Sequence, residues 1–342
     1  MSLTNDEIEY IRNELLNSTR PLIFFDDDPD GLSSFLLFYR FKTESKGIVV
    51  KSSPEVSAEY AKKVEEYQPD IVFILDKPML SQDFIDECKG KKIIWLDHHA
   101  PQKRHGVKYF NPRIHDDADN RPTSYWAYRI VEQDLWIAMA GIVGDWALPK
   151  DVSDKFKEEY PELLSKDIVN PQDALFNSDI GKISKMFSFL QKGKTTEVLK
   201  AIKILTRVES PQELFEHTTP RASLLYKKYK QMDDAYQSLL NSVDTTDKKI
   251  ILFTYEESKM SFTADLSNEL LYRYPNRVII IGREKNDEMK LSMRASNFIL
   301  PPMVQKALDG VEGYGGGHDH ACGGCVKKKD FPKFIEQLKA QM

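Results

Sequence analysis

Apolar and polar residues in the first hundred positions follow a repeated order of short apolar runs and amphipathic stretches. The runs PLIFF (21–25), IVFIL (71–75) and KIIWL (92–96) are almost entirely apolar, which is typical of strands buried on both faces. The stretches between them carry apolar residues at helical spacing. Strands that alternate with helices predict a parallel sheet covered by helices, so we expect an α/β domain here.

The amino end of the chain has the pattern of a helix start. Thr4 and Glu7 have the spacing of a capping box, in which each side chain bonds the other residue's main-chain N–H. The apolar residues Ile8, Ile11 and Leu15 then fall on one helical face. We therefore expect a short helix before the first strand.

A second, smaller α/β unit is predicted towards the carboxyl end. The segments KIILFTYE, RVIIIGREK and KLSMRAS have the composition of strands. A stretch rich in Lys, Glu, Gln and Leu precedes them and is predicted to form connecting helices. The expected division is a first domain over 1–200, a helical linker over 201–245 and a second domain over 246–342.

Composition and charge narrow the class of protein. The 342 residues carry a formal net charge of −5 and three cysteines, and no apolar run reaches the ~18 residues of a membrane-spanning helix. A chain with so few cysteines is typical of the reducing cytoplasm, and we therefore expect a cytoplasmic protein. Because no apolar run is long enough to span a membrane, we expect no membrane association. The negative charge argues against a protein that attracts nucleic acid through its overall charge.

Acidic and histidine side chains mark the ends of three predicted strands and one helical segment. If the strands are neighbours in a parallel sheet, these side chains meet at one edge. Carboxylates packed closely repel one another, and one or two divalent cations would relieve that repulsion. Oxygen ligands with few imidazoles suit Mn²⁺ or Mg²⁺ better than Zn²⁺, and paired ions of this kind are used for displacement at phosphorus. The residues are Asp26, Asp28, Asp30, Asp76, Asp97, His98, His99 and Asp145.

The string DDDPDG at 26–31 also has two other interpretations. It begins like a calcium-binding EF-hand loop, although its twelfth position is Leu37 instead of Glu and a predicted strand precedes it. It could equally form a solvated acidic turn. The acids and histidines at the other strand ends favour a metal site over both.

Five motifs follow one another along the chain. They are DDDPDG (26–31), ILDKP (74–78), LDHHAP (96–101) with FNP (110–112), GIVGDW (141–146) and GYGGGHDHACGG (313–324). Together and in this order they resemble the DHH phosphoesterase superfamily with its DHH-associated carboxyl-terminal domain. Asp26 stands where many members have His, and this points towards the RecJ-type branch, which has Asp. Pro29 and the Lys-Pro pair after Asp76 depart from the usual pattern, but neither removes a ligand.

The resemblance implies a role for each matching residue of the first domain. Two Mn²⁺ ions would bind, with Mg²⁺ as an alternative, and Asp76 would be shared between them. Asp97 would orient an imidazole, and His99 would contact a phosphate or transfer a proton. The ligands would be Asp26, Asp28 and Asp76 for one ion, and Asp30, Asp76, His98 and Asp145 for the other.

The carboxyl-terminal motif GGGHDHACGGC predicts a glycine-rich loop whose main-chain N–H groups can approach an anion closely. The resemblance implies that this loop grips the phosphate of a substrate together with Ser292 and Arg294. Two alternatives are a zinc site and a glycine-rich turn without function. The loop residues are Gly315, Gly316, Gly317 and His318, and the zinc ligands would be His318, His320, Cys322 and Cys325.

Basic and aromatic residues are interleaved at 221–230. Tyr226 and Tyr229 lie among Arg221, Lys227, Lys228 and Lys230. Aromatic faces that stack bases, beside cations that follow the backbone, are typical of a groove for single-stranded nucleic acid. The alternative is the solvated face of a connecting helix.

The predicted function is Mn²⁺-dependent hydrolysis of phosphodiester bonds in single-stranded DNA or short RNA by a RecJ-like exonuclease. The metal centre would lie at the carboxyl ends of the first domain's strands, and the glycine loop would face it across a cleft. The alternatives are a hydrolase of cyclic dinucleotides or 3′-phosphoadenosine phosphate, and a replisome scaffold with weak catalysis. Single-stranded nucleic acid or short oligonucleotides are the expected partners, and replication or repair proteins and a second copy of the chain are left open.

Overall fold

Strands and helices alternate through the first half of the chain, as the pattern of apolar residues predicts. The computed structural model describes residues 2–51, 54–256 and 260–342. The contact pattern divides the chain into two units, Met1–Tyr229 and Lys230–Met342. Ala201, Leu205 and Leu225, which lie in the linker predicted over 201–245, pack in the core of the first unit.

The first unit begins with the predicted capping box. The side chain of Thr4 accepts from the main-chain N–H of Glu7, and the Glu7 carboxylate accepts from the N–H of Thr4 at 2.8 Å. The elements in chain order are α1 (Asn5–Asn17), β1 (Leu22–Asp26), α2 (Pro29–Phe41), β2 (Lys46–Val50), β3 (Glu55–Val56), α3 (Ala61–Tyr67), β4 (Ile71–Leu75), β5 (Met79–Leu80), α4 (Gln82–Glu87), β6 (Lys92–Leu96), β7 (Lys108–Phe110), α5 (Thr123–Val131), α6 (Leu135–Gly144), α7 (Lys150–Glu159), α8 (Pro171–Phe176), α9 (Asp179–Leu190), α10 (Thr195–Leu205), α11 (Pro211–Glu216) and α12 (Pro220–Asn241).

A five-stranded parallel sheet lies at the centre of the first unit. Its strand order is β2-β1-β4-β6-β7, and β3 and β5 form a separate parallel pair. The strand β1 lies inside the sheet. The next strand in the chain, β2, pairs with one edge of β1, and β4 pairs with the other edge, so the direction in which strands are added reverses at β1. Ligands of open parallel sheets bind at such a reversal, beyond the carboxyl ends of the strands.

Alternate side chains of the central strands enter two different cores. In β1, Ile23 and Phe25 belong to the large core that contains the apolar faces of α2, α5 and α6. Leu22 and Phe24 belong to the core on the opposite face, with residues of α3 and α4. The predicted parallel sheet covered on both faces is therefore confirmed.

The second unit is built around a mixed sheet of five strands. The order is β11-β12-β10-β9-β8, in which β8 and β9 are parallel and the other pairs are antiparallel. One apolar core of this unit combines β9, β10 and β12 with α14 and α15. The elements are β8 (Ile250–Glu256), α13 (Thr263–Arg273), β9 (Val278–Lys285), β10 (Glu288–Arg294), α14 (Leu300–Ala307), β11 (Gly313–His318), β12 (Ala321–Lys327) and α15 (Phe331–Lys339).

The glycine-rich motif is a β-hairpin, so the expectation of a loop at Gly315–His318 is wrong. These residues form most of β11, and Gly317 pairs with Cys322 of β12. Gly317 has φ +148°, and a Cβ there would meet the main chain of Ala321 and Cys322. Glycine therefore allows the two strands to approach, which periodicity of apolar residues does not reveal.

Helices long and apolar enough to cross a membrane are absent from the described part of the chain.

Candidate functional site

The first acidic loop joins β1 to α2. Asp26 is the last residue of β1, and Asp28 is the N-cap of α2, where its carboxylate accepts from the main-chain N–H of Gly31 at 2.9 Å. Pro29 follows as the first helical residue, where a missing N–H costs nothing. Because a strand rather than a helix leads into the loop, the EF-hand interpretation is wrong.

Asp76 lies directly beyond β4 in an unusual conformation. Its φ is +59°, its side chain is buried, and Oδ1 accepts from the hydroxyl of Thr123 at 3.1 Å. Among the described residues, Oδ2 meets no donor although it is buried. A buried carboxylate oxygen without a donor is a position that a cation would fill.

The lysine after Asp76 makes a contact that sequence reasoning missed. The side chain of Lys77 is fully buried, and its Nζ donates to Oδ1 of Asp26 at 2.9 Å. From the sequence, the Lys-Pro pair is a departure from the usual motif without a predicted role. The only available signal was the charge itself, since a lysine at the end of a buried strand needs a partner.

Main-chain N–H groups at the start of α5 bind Asp30, the last acid of DDDPDG. Asp30 is buried, and its two carboxylate oxygens accept from the main-chain N–H groups of Thr123 and Ser124, each at 2.8 Å. The amino end of a helix favours a negative charge at this position. Sequence reasoning missed this support because Thr123 and Ser124 lie far along the chain from Asp30 and belong to no motif.

His98 points one ring nitrogen at three carboxylates. Its Nε2 lies 3.5 Å from Oδ1 of Asp76, 3.6 Å from Oδ2 of Asp145 and 3.9 Å from Oδ2 of Asp30. The other nitrogen, Nδ1, lies 3.3 Å from the carbonyl oxygen of Asn120, to which it can donate. Donation from Nδ1 leaves Nε2 as the atom that can bind a metal.

The ligand-type atoms gather in three groups, each within 4.8 Å. Asp76 and His98 each occur in two of the groups, so the three groups are linked to one another. Carboxylate oxygens with one or two imidazoles are a donor set that fits Mn²⁺ or Mg²⁺. The groups are Asp26, Asp28 and Asp76; Asp30, His98 and Asp145; and Asp76, His98 and His99.

Burial and mutual repulsion act on these carboxylates together. Burial, and then the charges of Asp26 and Asp30, raise the pKa of Asp28 to about 8. Burial and neighbouring aspartates also raise the pKa values of Asp76 and Asp145 well above the usual range. The cluster therefore has an excess of negative charge that divalent cations would neutralise, so the residues fit the expected ions.

Asp97 and His99 form a separate hydrogen-bonded pair. Oδ1 of the fully buried Asp97 accepts from Nδ1 of His99 at 2.7 Å, and Oδ2 accepts from Tyr109 and Asn111. Burial alone would lower the pKa of His99, but the hydrogen bond and charge of Asp97 outweigh it and raise the pKa to about 9. The imidazole that Asp97 orients is that of His99, which is positively charged at neutral pH.

Arg294 of the second unit is held by three neighbours. Its Nε donates to Oδ1 of Asn268 at 2.7 Å, and its Nη1 donates to the hydroxyl of Ser292 at 3.1 Å and to the carbonyl of Met293 at 2.9 Å. Within the described part of the chain, Nη2 has no hydrogen-bond partner, and Ser292 is itself bonded by Ser267. Asn268 and Ser267 were missed because they lie on α13, outside every motif.

The zinc alternative does not fit the hairpin. Cys322 and Cys325 are three residues apart in β12, so their side chains leave opposite faces of the strand. Sγ of Cys322 lies 3.6 Å from the carbonyl of His318, whereas Sγ of Cys325 lies 3.4 Å from the carboxylate of Glu288. Two sulfurs on opposite faces cannot bind one ion.

The basic segment at 221–230 is only partly as expected. Arg221 pairs with Glu213 and Glu209, and Lys230 pairs with Asp234. These charges are therefore already compensated by neighbouring acids. Lys228 instead points to the end of α9, where Nζ donates to a carbonyl at 2.6 Å.

Both units match known families. The DHH family, N-terminal domain, matches residues 20–168, and the DHHA1 domain matches residues 240–342. None of the curated proteins compared with the chain matches it significantly.

Several solved structures share the fold. RecJ from Thermus thermophilus in complex with Mn²⁺ has a TM-score of 0.68 at 16% identity, over 98% of this chain and 54% of that one. This chain thus spans about half the length of that relative. Another structure, exonuclease RecJ bound to manganese, has a TM-score of 0.65 at 16% identity, over 100% of this chain and 94% of that one. The pGpG-specific phosphodiesterase PggH from Vibrio cholerae has a TM-score of 0.50 at 13% identity, over 94% and 98%.

Proposed function

This chain belongs to the DHH phosphoesterase superfamily, and from this premise we propose that it hydrolyses phosphodiester bonds with two divalent cations, Mn²⁺ in the first place and Mg²⁺ as the alternative. The observation that carries the proposal is the gathering of the six expected ligands into groups whose atoms lie within 4.8 Å. They come from four separate segments of the chain, and none is replaced by a residue that cannot bind a metal. The ligands are Asp26, Asp28, Asp30, Asp76, His98 and Asp145.

The side chains around the ligands support this chemistry. The bound ions would make a water molecule nucleophilic near neutral pH and stabilise the charge that develops at phosphorus. Lys77 holds one oxygen of Asp26, and the N–H groups at the start of α5 hold Asp30. Fixed ligands of this kind set where a phosphate can lie.

His99 is the proposed proton-handling and phosphate-contacting group. Its charged form is stabilised by Asp97, which is hydrogen-bonded to Nδ1 and leaves Nε2 for a substrate oxygen. A cationic imidazole can bind a phosphate oxygen or give a proton to the oxygen that is expelled. Asp97 is then a positioning residue, because it acts through the imidazole.

We also propose that the second unit binds a phosphate or terminal nucleotide of the substrate. Arg294 offers Nη2, while Asn268 and Ser292 hold its other two nitrogens. Gly316 has open space around the position of a Cβ, so a ligand can approach its main chain. The proposed contacts are Ser292, Arg294, Gly315, Gly316, Gly317 and His318.

The proposed substrate is single-stranded DNA or short RNA, cut from an end. The two RecJ structures support an exonuclease, and the pGpG-specific phosphodiesterase supports the small-nucleotide alternative. End-labelled oligonucleotides of graded length, incubated with Mn²⁺, Mg²⁺ or a chelator, distinguish the two. Stepwise shortening of long strands is expected, whereas cleavage confined to the shortest oligomers or to nucleotides would replace the exonuclease with a small-substrate hydrolase.

The same assay tests the scaffold alternative. Asp28→Ala removes a ligand from one group and His98→Ala removes a ligand from the other two, and both should abolish Mn²⁺-dependent cleavage in a protein that stays folded. Cleavage retained by both variants would contradict the metal site, and no cleavage by the wild-type chain would favour the replisome scaffold. Cytoplasmic location, replication or repair partners and a homodimer stay predictions.

A further inference from the structure

Three lysines of the first unit converge at the carboxyl end of α9, although they come from distant segments. Nζ of Lys51, which follows β2, donates to the carbonyl of Gly193 at 3.1 Å. Nζ of Lys228, in α12, donates to the carbonyl of Leu190 at 2.6 Å. In the sequence, Lys192 lies between Leu190 and Gly193. Its Nζ is 5.8 Å from the centre of the Phe189 ring.

Capping of a helix end accounts for one cation here but not for three. Positive charge near the last turn of a helix is favourable, but several cations held close together there also repel one another. Burial, and in part the charge of Lys51, lower the pKa of Lys228 to about 8 despite Glu197. Burial and Lys192 lower the pKa of Lys51 despite Asp27. Three ammonium groups and the carboxylates of Asp27 and Glu197 thus act on one another here, and a phosphate would relieve the repulsion among the ammonium groups.

The lysine cluster borders the metal centre within the first unit. Asp26 pairs with Val50 in the sheet, so Lys51 leaves β2 beside the acidic loop. Nε2 of Gln191, next to Lys192, donates to the carbonyl of Asp28 at 2.7 Å. The lysine cluster therefore lies next to the acidic loop that carries candidate metal ligands.

Aromatic rings continue from the lysines along α12. Tyr229 lies 6.0 Å from Phe189, and Tyr226 lies 6.3 Å from Tyr229 and 3.7 Å from His217, measured between ring centres. Tyr226 and Tyr229 are half-buried. Ring faces beside cations are typical of sites for single-stranded nucleic acid, in which bases stack and the backbone meets positive charge.

We infer that Lys51, Lys192 and Lys228 form a binding site for a backbone phosphate of a single strand, one or more nucleotides away from the bond that is cut. The inference rests on the proposed phosphodiesterase function and adds a substrate contact within the first unit. It also changes the set of residues in the basic groove expected from sequence. Lys228 stays in the set, Lys51 and Lys192 are added, and Arg221 and Lys230 are left out because neighbouring acids pair with them.

Fluorescence anisotropy with a labelled phosphorothioate oligothymidylate, which resists hydrolysis, tests the site in the presence of Mn²⁺. Affinity is measured at several salt concentrations, since each phosphate contact contributes about −0.7 to the slope of log K against log salt for single strands. Because the three lysines share one phosphate, the double variant Lys51→Met/Lys228→Met should lower the magnitude of the slope by about 0.7 and weaken binding roughly tenfold. The double variant Lys51→Arg/Lys228→Arg should keep the wild-type slope.

Two further variants complete the design. Lys192→Met, which leaves both carbonyl contacts in place, should also lower the magnitude of the slope, by no more than about 0.7, and it tests the site even if the double Met variant fails to fold. Lys200→Met removes an exposed lysine of α10 and should bind like the wild type. An unchanged slope in Lys192→Met, an equal loss in Lys200→Met, or no binding by the wild-type chain would overturn the inference.

The experiment separates this inference from the proposed function. Binding that depends on the three lysines, without Mn²⁺-dependent cleavage of any oligonucleotide, would contradict only the hydrolysis. Cleavage of oligonucleotides with binding that ignores the lysines would contradict only the phosphate site.

Discussion

Asp76 concentrates several unfavourable features in one residue. Its left-handed φ of +59° is rare for a residue with a Cβ, and its carboxylate is buried among other aspartates. A folded protein keeps such a residue only when the surroundings hold it in place, and these positions cluster at functional sites. The strained backbone directs the carboxylate between the other candidate ligands.

Asp76→Asn tests the charge of this residue while its shape is kept. In the presence of a chelator, we expect the free energy of unfolding of the variant to be at least as large as that of the wild type. The reason is that the substitution removes one of several buried charges of the same sign. Excess Mn²⁺, at about a hundred times its Kd, should stabilise the wild type by about 2.7 kcal/mol and the variant by much less. Urea unfolding with and without Mn²⁺ measures both effects.

The control for this comparison is Asp154→Asn, which removes an exposed carboxylate of α7. It should respond to Mn²⁺ as the wild type does. Full stabilisation of Asp76→Asn by Mn²⁺ would contradict its assignment as a shared ligand.

The Asp97–His99 pair predicts a defined pH dependence of stability. The pKa of His99 is raised to about 9 in the folded protein from an ordinary value near 6.5. The stabilisation is therefore fully present below about pH 6.5 and is lost as the pH rises through about 9. In chelator, Asp97→Asn should lower the free energy of unfolding more at about pH 6 than at about pH 10, as urea unfolding at the two pH values would show.

Asp116→Asn is the matched control, since it changes an exposed acid of the following segment. Its effect should not vary between the two pH values. A pH-independent effect of Asp97→Asn would show that Tyr109 and Asn111, rather than His99, account for the role of Asp97.

At the scale of elements, the junction of β1 and α2 places four acids within five residues, and three of them are candidate ligands. A Cβ on Gly31 would lie 2.7 Å from both the main-chain N and the O of Asp26. Glycine is therefore required for the first turn of α2 to lie against the end of β1. The spacing of the acids was readable from the sequence, but this close approach was not.

Gly31→Ala should separate the strand end from the helix. We expect a loss of about 1–3 kcal/mol in the free energy of unfolding, as for other substitutions that overpack a tight contact. Mn²⁺ affinity should fall as well, because Asp26 and Asp28 lie on either side of the junction. Urea unfolding and a Mn²⁺ titration measure the two losses.

Gly323→Ala provides the comparison, because its Cβ would meet only the carbonyl of Leu291 at an ordinary 3.8 Å. It should be nearly neutral for stability and for Mn²⁺ affinity. A neutral Gly31→Ala would mean that the junction tolerates a shift of α2.

The hairpin of β11 and β12 shows where sequence reasoning at this scale failed. The glycines crowded into the GYGGG and CGG segments predict a loop, since glycine weakens isolated strands. In the fold, β12 pairs with β10 on its other side, and this ladder provides the partner that β11 extends. Tertiary pairing therefore outweighs local preference.

At the scale of the whole molecule, the candidate metal ligands and the proposed phosphate contact of Arg294 fall in different units. All the ligand groups found among the described residues lie in Met1–Tyr229, whereas Arg294 and the glycine hairpin lie in Lys230–Met342. We therefore expect Mn²⁺ to protect the main-chain amides of the first unit from hydrogen exchange. Exchange measured by mass spectrometry should slow around β1, β4 and α5, and an equal slowing in the hairpin would contradict this.

Arg294→Lys should weaken the binding of substrate and leave the binding of metal unchanged. Lysine lacks the planar group that Asn268 and Ser292 hold, so KM for an oligonucleotide should rise roughly tenfold or more. Stabilisation by Mn²⁺ should not change, because the candidate ligands lie in the other unit. Lys290→Met, which changes an exposed lysine of the same strand, is the control for both measurements.

The sequence by itself determined the central strands β1, β4 and β6 with helices between them, the capping box at Thr4 and the residue types of the candidate metal site. These follow from periodicity and from motifs, which are local properties of the chain. The tertiary structure alone decided that Lys77 meets Asp26, that Asn268 holds Arg294, and that Lys51 lies beside Lys228. Such contacts join residues that are far apart in the chain, and strand order and packing set them, because no local spacing encodes which distant side chains become neighbours.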